Sequence, residues 1–151
     1  MTDGKTGAAA LEAALRAIRH RDLSAADLEE RLAGRGYGES ERAEALATLS
    51  RTGLLDDRRF AESRAATLAA RGAGDALIRH DLEHAGVGSE LVEDAVGSLE
   101  PEPERARRVV ERRGLGPRTT RYLFSKGFSE ETVVAVVAAG VIAPGSHDEL
   151  G

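Results

Sequence analysis

The chain has 151 residues, with 21 basic and 26 acidic side chains and no cysteine, for a net charge of −5. Without cysteine there is no disulfide framework and no thiolate metal site, and no apolar run approaches the ~20 residues needed to span a bilayer. A cytoplasmic chain with no membrane contact is expected. Three Phe, two Tyr and no Trp leave a core of Leu, Val and Ala, a helical composition.

Apolar periodicity places a first helix at about 8–20, with Leu11, Leu15 and Ile18 on one stripe. Ser24 starts a second helix with Asp27 three residues on, buries Leu28 and Leu32, and ends at Gly34 and Gly36. A third, about 41–52, buries Ala45, Leu46 and Leu49, and stops at Gly53. Then comes Gly53-Leu54-Leu55-Asp56-Asp57-Arg58-Arg59-Phe60-Ala61. This is a helix stop, an apolar plug, an N-cap at Asp56 and an aromatic anchor one turn into the next helix. Leu54, Leu55 and Phe60 are expected to be buried in it.

The fourth helix runs over about 57–71 and breaks at Gly72 and Gly74. Asp75 is read as the cap of a fifth with Ile78 and Leu82 inward, and Ser89 as the cap of a sixth with Val92, Val96 and Leu99. Glu100-Pro101-Glu102-Pro103 reads as a stiff linker, because two prolines two apart do not continue a helix. A seventh helix turns Ala106, Val109 and Val110 inward and leaves Arg105, Arg108 and Arg112 on the opposite face. Pro117 opens an eighth, with Leu123 and Phe124 as apolar contacts. Ser129 caps a ninth, and its Val133–Val137 run is read as helix because a cap precedes it and Gly140 ends it. The tail, 141–151, is expected to be disordered.

One pattern recurs: a leucine, a Gly-apolar pair four and five residues later, then a short helix. It appears as Leu32…Gly36-Tyr37, Leu82…Gly86-Val87 and Leu123…Gly127-Phe128, with offsets of 50 and 41 residues. The chain therefore divides into repeats at 8–53, 54–100 and 105–140, with a Pro-containing linker at 101–104. Stacked repeats build an extended surface, which points to binding before catalysis.

Charge is uneven along these units. Residues 54–103 carry 5 basic and 11 acidic side chains, whereas positions 105–126 hold eight basic residues and one acid, Glu111. Arg105, Arg108, Arg112, Arg113, Arg118, Arg121 and Lys126 are the candidate contacts to an anionic partner. The competing reading is a solvated helix face. His80 and His84 have the i, i+4 spacing of two metal ligands. Asp81 stands where a zincin needs Glu, however, and no motif supplies a third ligand. No phosphate loop or nucleophile elbow occurs, so neither a cofactor nor an enzyme activity is expected.

The segment GLLDDRRFA, with Leu82-Glu83-His84-Ala85-Gly86-Val87 and Tyr122-Leu123-Phe124-Ser125-Lys126-Gly127-Phe128, resembles the RecX family of recombination regulators. Members carry a G-Y/L-L-D-D-x-x-F-A joint, an L-x-x-x-G-I/V element and a Y-L-x-x-(R/K)-G-F element in this order. The resemblance covers about residues 10–140. It implies an all-α protein of three tandem three-helix repeats in an elongated curved array. It also implies a non-enzymatic role: binding RecA and its filament on DNA, inhibiting filament growth, ATP turnover and strand exchange, and so modulating DNA repair and the SOS response. A monomer is expected, with weak direct DNA contact through the third repeat at most. Ala85 stands where relatives often have Lys, and Ser63-Arg64 where many have a bulky apolar residue. With the acidic middle repeat, these argue against DNA contact there. The alternative is a stand-alone helical DNA-binding protein, which the net −5 charge disfavours.

Overall fold

The computed structural model describes residues 6–141. Among them are nine α-helices and no strand: α1 (Gly7–His20), α2 (Ala25–Gly34), α3 (Glu39–Arg51), α4 (Asp57–Ala70), α5 (Asp75–His84), α6 (Ser89–Gly97), α7 (Glu102–Arg113), α8 (Pro117–Ser125) and α9 (Glu130–Val141). No helix of the described residues is long and apolar enough to cross a membrane. The tail expected from 141 lies, beyond Val141, outside the described residues.

The chain forms two compact units. One comprises the residues up to Ser63 together with Leu82–Val92, the other Arg64–Asp81 together with the residues from Glu93. The division runs through α4, α5 and α6. In the first unit α1 packs on α3 and α2, around Leu23, Leu28, Leu32, Tyr37, Leu49 and Leu55. The buried stripe of α1 is Ala10, Ala13 and Ala14, and the expected stripe of Leu11, Leu15 and Ile18 flanks it, partly buried. Alanines at the contact let the helix backbones approach, so the larger side chains cover the edges. In the second unit α7 packs on α9 and α8 around Ala106, Val109, Leu123, Phe128, Val133 and Val136.

The recurring leucine-glycine pattern is a helix stop. Gly36, Gly86 and Gly127 have φ of 90°, 81° and 90°. After each, the apolar residue donates its amide to the leucine carbonyl five positions back: Tyr37 to Leu32 at 3.2 Å, Val87 to Leu82 at 3.1 Å, Phe128 to Leu123 at 3.1 Å. This is the Schellman arrangement, with its accompanying apolar contact between the bonded residues. Leucine and apolar partner are buried in all three. The same bonds follow Gly53 (Leu54 to Leu49, 2.9 Å) and Gly72 (Ala73 to Leu68, 3.0 Å). Leu54 corrects the expectation of a two-leucine plug: it is about half exposed and Leu55 alone is buried. Successive residues of a non-helical connection face opposite ways, so only one of the pair reaches the core.

The helix starts are joined in a second recurring way. In the first unit Asp57, the first residue of α4, accepts the Ala25 amide at the start of α2 through Oδ1 at 2.8 Å. Ser24 receives the Asp27 amide at 3.1 Å and donates its hydroxyl to the Ala85 carbonyl at 2.5 Å. In the second unit Glu102, the first residue of α7, accepts the Asp75 amide at the start of α5 at 2.8 Å. Gly74, the residue before α5, donates its amide to the Lys126 carbonyl at 2.6 Å. The two joints superpose in sequence as well: Asp57, Phe60 and Ala61 correspond to Glu102, Arg105 and Ala106. Both use an acid from a later helix to satisfy an orphan amide at an earlier helix start.

Three expectations about helix starts are corrected here. Positions 102–104 of the expected linker are the first turn of α7, where prolines are tolerated because their missing amides have no partner in a first turn. Asp75 is the first residue of α5 rather than its cap, and Gly74 stands in the capping position, its carbonyl accepting from Ile78. Ser89 likewise begins α6, and the Gly88 carbonyl accepts from Val92.

Glu102 is the hub of the second joint. Its buried carboxylate also receives Thr132 Oγ1 at 2.7 Å and Ser129 Oγ at 3.1 Å, and Ser129 caps α9 by accepting the Thr132 amide at 3.1 Å. Burial pushes the Glu102 pKa up. The hydrogen bonds from Thr132, the Asp75 amide and Ser129 outweigh that and hold it below the ordinary carboxylate value. A depressed folded-state pKa stabilises the fold above the unfolded value and loses that contribution as pH falls through the folded one. Glu102→Gln should therefore cost about 2 kcal/mol near neutrality, the scale of hydrogen bonds to a charged acceptor. Its stability should also vary less with pH in the acid range below the ordinary glutamate value. Urea midpoints over a pH series check both.

Glycine replacement gives a second check. A Cβ at Gly53 would meet open space, so Gly53→Ala carries only the positive-φ strain, about 1–2 kcal/mol. A Cβ at Gly127 would stand 2.6 Å from the Leu77 amide nitrogen, which is backbone and cannot swing aside. Gly127→Ala should exceed Gly53→Ala by about 1–3 kcal/mol, the cost of overpacking. Chemical denaturation of the two variants reads the difference.

Candidate interaction surface

The eight cations of positions 105–126 all belong to the second unit, and the structure divides them by what holds them. Arg105 corrects the sequence reading. It does not lie on an open face with Arg108 and Arg112 but is buried, ion-paired with Asp75, and donates to the Ala73 carbonyl at 2.8 Å and the Glu100 carbonyl at 2.9 Å. The physical reason is the joint. Gly72 and Gly74 interrupt the chain before α5, leaving the Ala73 carbonyl without a helical partner, and a guanidinium reaches several such acceptors at once. Its α4 counterpart is Phe60, also buried, so the same position serves as an apolar anchor in one joint and an ionic anchor in the other.

Arg108 is exposed and ion-paired with Glu100. That hydrogen bond holds the Glu100 pKa below its ordinary value and raises that of Arg108. Arg107, which the candidate set omitted, is exposed and pairs with Glu104 across one turn of α7. Arg113 lies over the Tyr122 ring, 3.8 Å from its centroid, so one face of its guanidinium is covered. Lys126 is partly buried just after α8, and its carbonyl is used by Gly74.

Arg112, Arg118 and Arg121 remain. All three are exposed, and among the described residues no hydrogen bond or ion pair engages their guanidinium groups. Arg112 is on the last turn of α7, and Arg118 and Arg121 are one turn apart on α8. Their charge is therefore undamped by local carboxylates, whereas Arg107 and Arg108 present ion pairs to solvent. Phe124, expected as an apolar contact, is about half exposed on α8: it follows buried Leu123 by 100° around the helix and falls off the buried stripe.

The aspartates of the Gly53–Ala61 segment both accept amides at helix starts, Asp56 from an exposed position and Asp57 from a half-buried one. Asp56 Oδ1 accepts the Arg59 amide at 3.1 Å, Asp57 serves α2 as above, and Phe60 and Ala61 are buried. Among the described residues no group of three or more metal-binding side chains comes together.

The sequence reading missed Glu102 and Arg105 as joint residues because it aligned the repeats on their glycines. The 45-residue offset that pairs Asp57 with Glu102 and Ala61 with Ala106 is a signal the sequence does carry.

Comparison with known proteins covers most of the chain. Residues 56–96 match the family model of RecX, second three-helix domain. A regulatory protein RecX of Chromohalobacter salexigens is 35% identical over 129 residues, covering 80% of this chain and 85% of that one. One of Halorhodospira halophila is 32% identical over 146 residues, covering 90% and 91%. Among solved structures, RecX from Lactobacillus salivarius superposes with a TM-score of 0.78 over 90% of this chain and 97% of that one. At 19% identity that likeness speaks to the fold, an all-α helical repeat. Relatives of such identity and length settle the assignment: the chain belongs to the RecX family of regulatory proteins.

Proposed function

We propose that this chain binds RecA and the RecA filament on DNA and inhibits filament growth, ATP turnover and strand exchange. It thereby modulates recombinational repair and the SOS response in the cytoplasm, without catalytic chemistry or a cofactor of its own. The observation that carries the reading is the near full-length likeness to proteins named regulatory protein RecX. The charge distribution supports it. Three guanidinium groups that meet no ion-pair or hydrogen-bond partner among the described residues, on a chain of net charge −5, suit an anionic surface met at short range better than autonomous DNA binding.

Arginine substitutions should then separate by their local partners. Arg121→Glu and Arg112→Glu should each weaken inhibition of DNA-dependent RecA ATP hydrolysis by about ten-fold, the scale of a lost close charge contact. Arg108→Glu should do less, since Glu100 already offsets Arg108. Inhibition curves at two salt concentrations, with far-UV circular dichroism to confirm folding, provide the check. A parent chain that leaves both ATP hydrolysis and filament length unchanged would refute the reading itself.

A further inference from the structure

The second unit carries a groove of about 260 Å³ that no role described so far uses. One wall is the methyl face of α4, Ala66, Ala69 and Ala70, at i, i+3 and i+4. Buried Val109 and Phe128 form the floor, and Arg108 and Arg112 stand on the rim. The carboxylate in the lining, Glu100, is committed to Arg108, so the rim's uncompensated charge is Arg112. We propose that this groove takes an apolar side chain of a protein partner, with a carboxylate next to it in the partner's sequence held by Arg112.

The chemistry of the walls selects that occupant. Volume falls below the ~300–1,000 Å³ typical of small-molecule sites, and the lining holds no hydroxyl or carboxamide, so its polar recognition rests on guanidinium groups that favour an anion over a neutral sugar or nucleobase. A single nucleic-acid strand needs an exposed aromatic face on which to stack, and Phe128 is buried. An aliphatic or aromatic side chain, by contrast, gains from leaving water against Ala66, Ala69 and Val109. A guanidinium at the rim can fork onto a carboxylate one or two residues away. A protein segment that is both apolar and acidic satisfies both halves of the site.

This inference rests on the proposed function only for the identity of the partner, so the test has two arms. In the first, the full-length chain labelled with 15N is titrated with a blocked peptide Glu-Leu-Phe-Glu-Glu and with its Lys-Leu-Phe-Lys-Lys counterpart. The acidic peptide should shift the amides of Ala66, Ala69, Ala70 and Gly72, and the basic one should leave them in place. Ala66→Phe, which fills the groove from an exposed helix position, and Arg112→Glu should each weaken the acidic peptide by about ten-fold. Ala66→Ser, at the same exposed site, should bind like the parent and so controls for the substitution itself. No shift at these amides up to millimolar peptide, or equal shifts with both peptides, overturns the groove.

In the second arm the same variants are measured against RecA filaments on oligo-dT and against the bare oligonucleotide. Ala66→Phe should lose filament binding while leaving any oligonucleotide binding unchanged. Loss of oligonucleotide binding together with filament binding would make the occupant nucleic acid and overturn the proposal. A parent that binds the peptide but not the filament would instead refute RecA as partner and leave the groove standing.

Discussion

Every α-helix begins with amides that have no intrahelical acceptor, and a chain of short helices faces this problem at each start. The acceptor that answers it in the second unit is the buried carboxylate of Glu102. It holds the first amide of α5 and, through Ser129 and Thr132, the cap of α9. One carboxylate thus ties the start of α7 to the starts of two other helices. Asp57 does the same for α2 in the first unit with a single bond. Local capping alone fixes a helix end but not where that end lies. Borrowing the acceptor from another helix fixes both, and with it the register of the packed alanines and valines.

Glu102 in turn explains Arg105. A buried anion and a buried cation near the same helix start are each costly alone, and the arrangement holds because every charged atom has a partner. Arg105 is satisfied by Asp75 and two carbonyls, Glu102 by an amide and two hydroxyls. The large apparent positive charge of positions 105–126 is consequently not all available to a partner. One cation is structural, two are matched by carboxylates on or just before α7, and one has its face on a tyrosine. What α7 and α8 offer is a sparse set of three guanidinium groups rather than a continuous basic stripe. Sparse charges of this kind favour orientation of an encounter over non-specific affinity.

The all-α class, the helix order and the glycine stops were legible in the sequence because each has a local signature. A leucine four residues before a Gly-apolar pair encodes its own helix stop, since the bonds it makes are within six residues. The strand-like run Val133–Val137 was legible as helix for the same reason: the Ser129 cap is local. What sequence could not show is set by contacts far apart in the chain. Position 105 stands with 102, 106 and 109 on the i, i+3, i+4, i+7 stripe that α7 buries, but a charged residue type reads as solvent-facing until the Ala73 carbonyl and Asp75, about thirty residues away, are seen to hold it. The linker reading of Glu100–Pro103 failed differently. Proline's veto applies to helix interiors, and only the distant donors to Glu102 reveal that a helix starts there.

The misplacement of Arg105 also shows how a repeat diverges without losing its joint. The position is buried in both copies and lies one turn into a helix whose first residue is an acceptor acid. Phenylalanine fills it at Phe60, as an apolar anchor in the first unit's core. Arginine fills it where two glycines have broken the preceding chain and stranded a carbonyl. A hydrocarbon in place of Arg105 would leave the carbonyl of buried Ala73 without this donor and the partly exposed Asp75 without its cation, a loss set against the apolar burial it would gain. Part of the basic character of α7 thus belongs to its joint, since Arg105 is held inside it while Arg112 stays exposed.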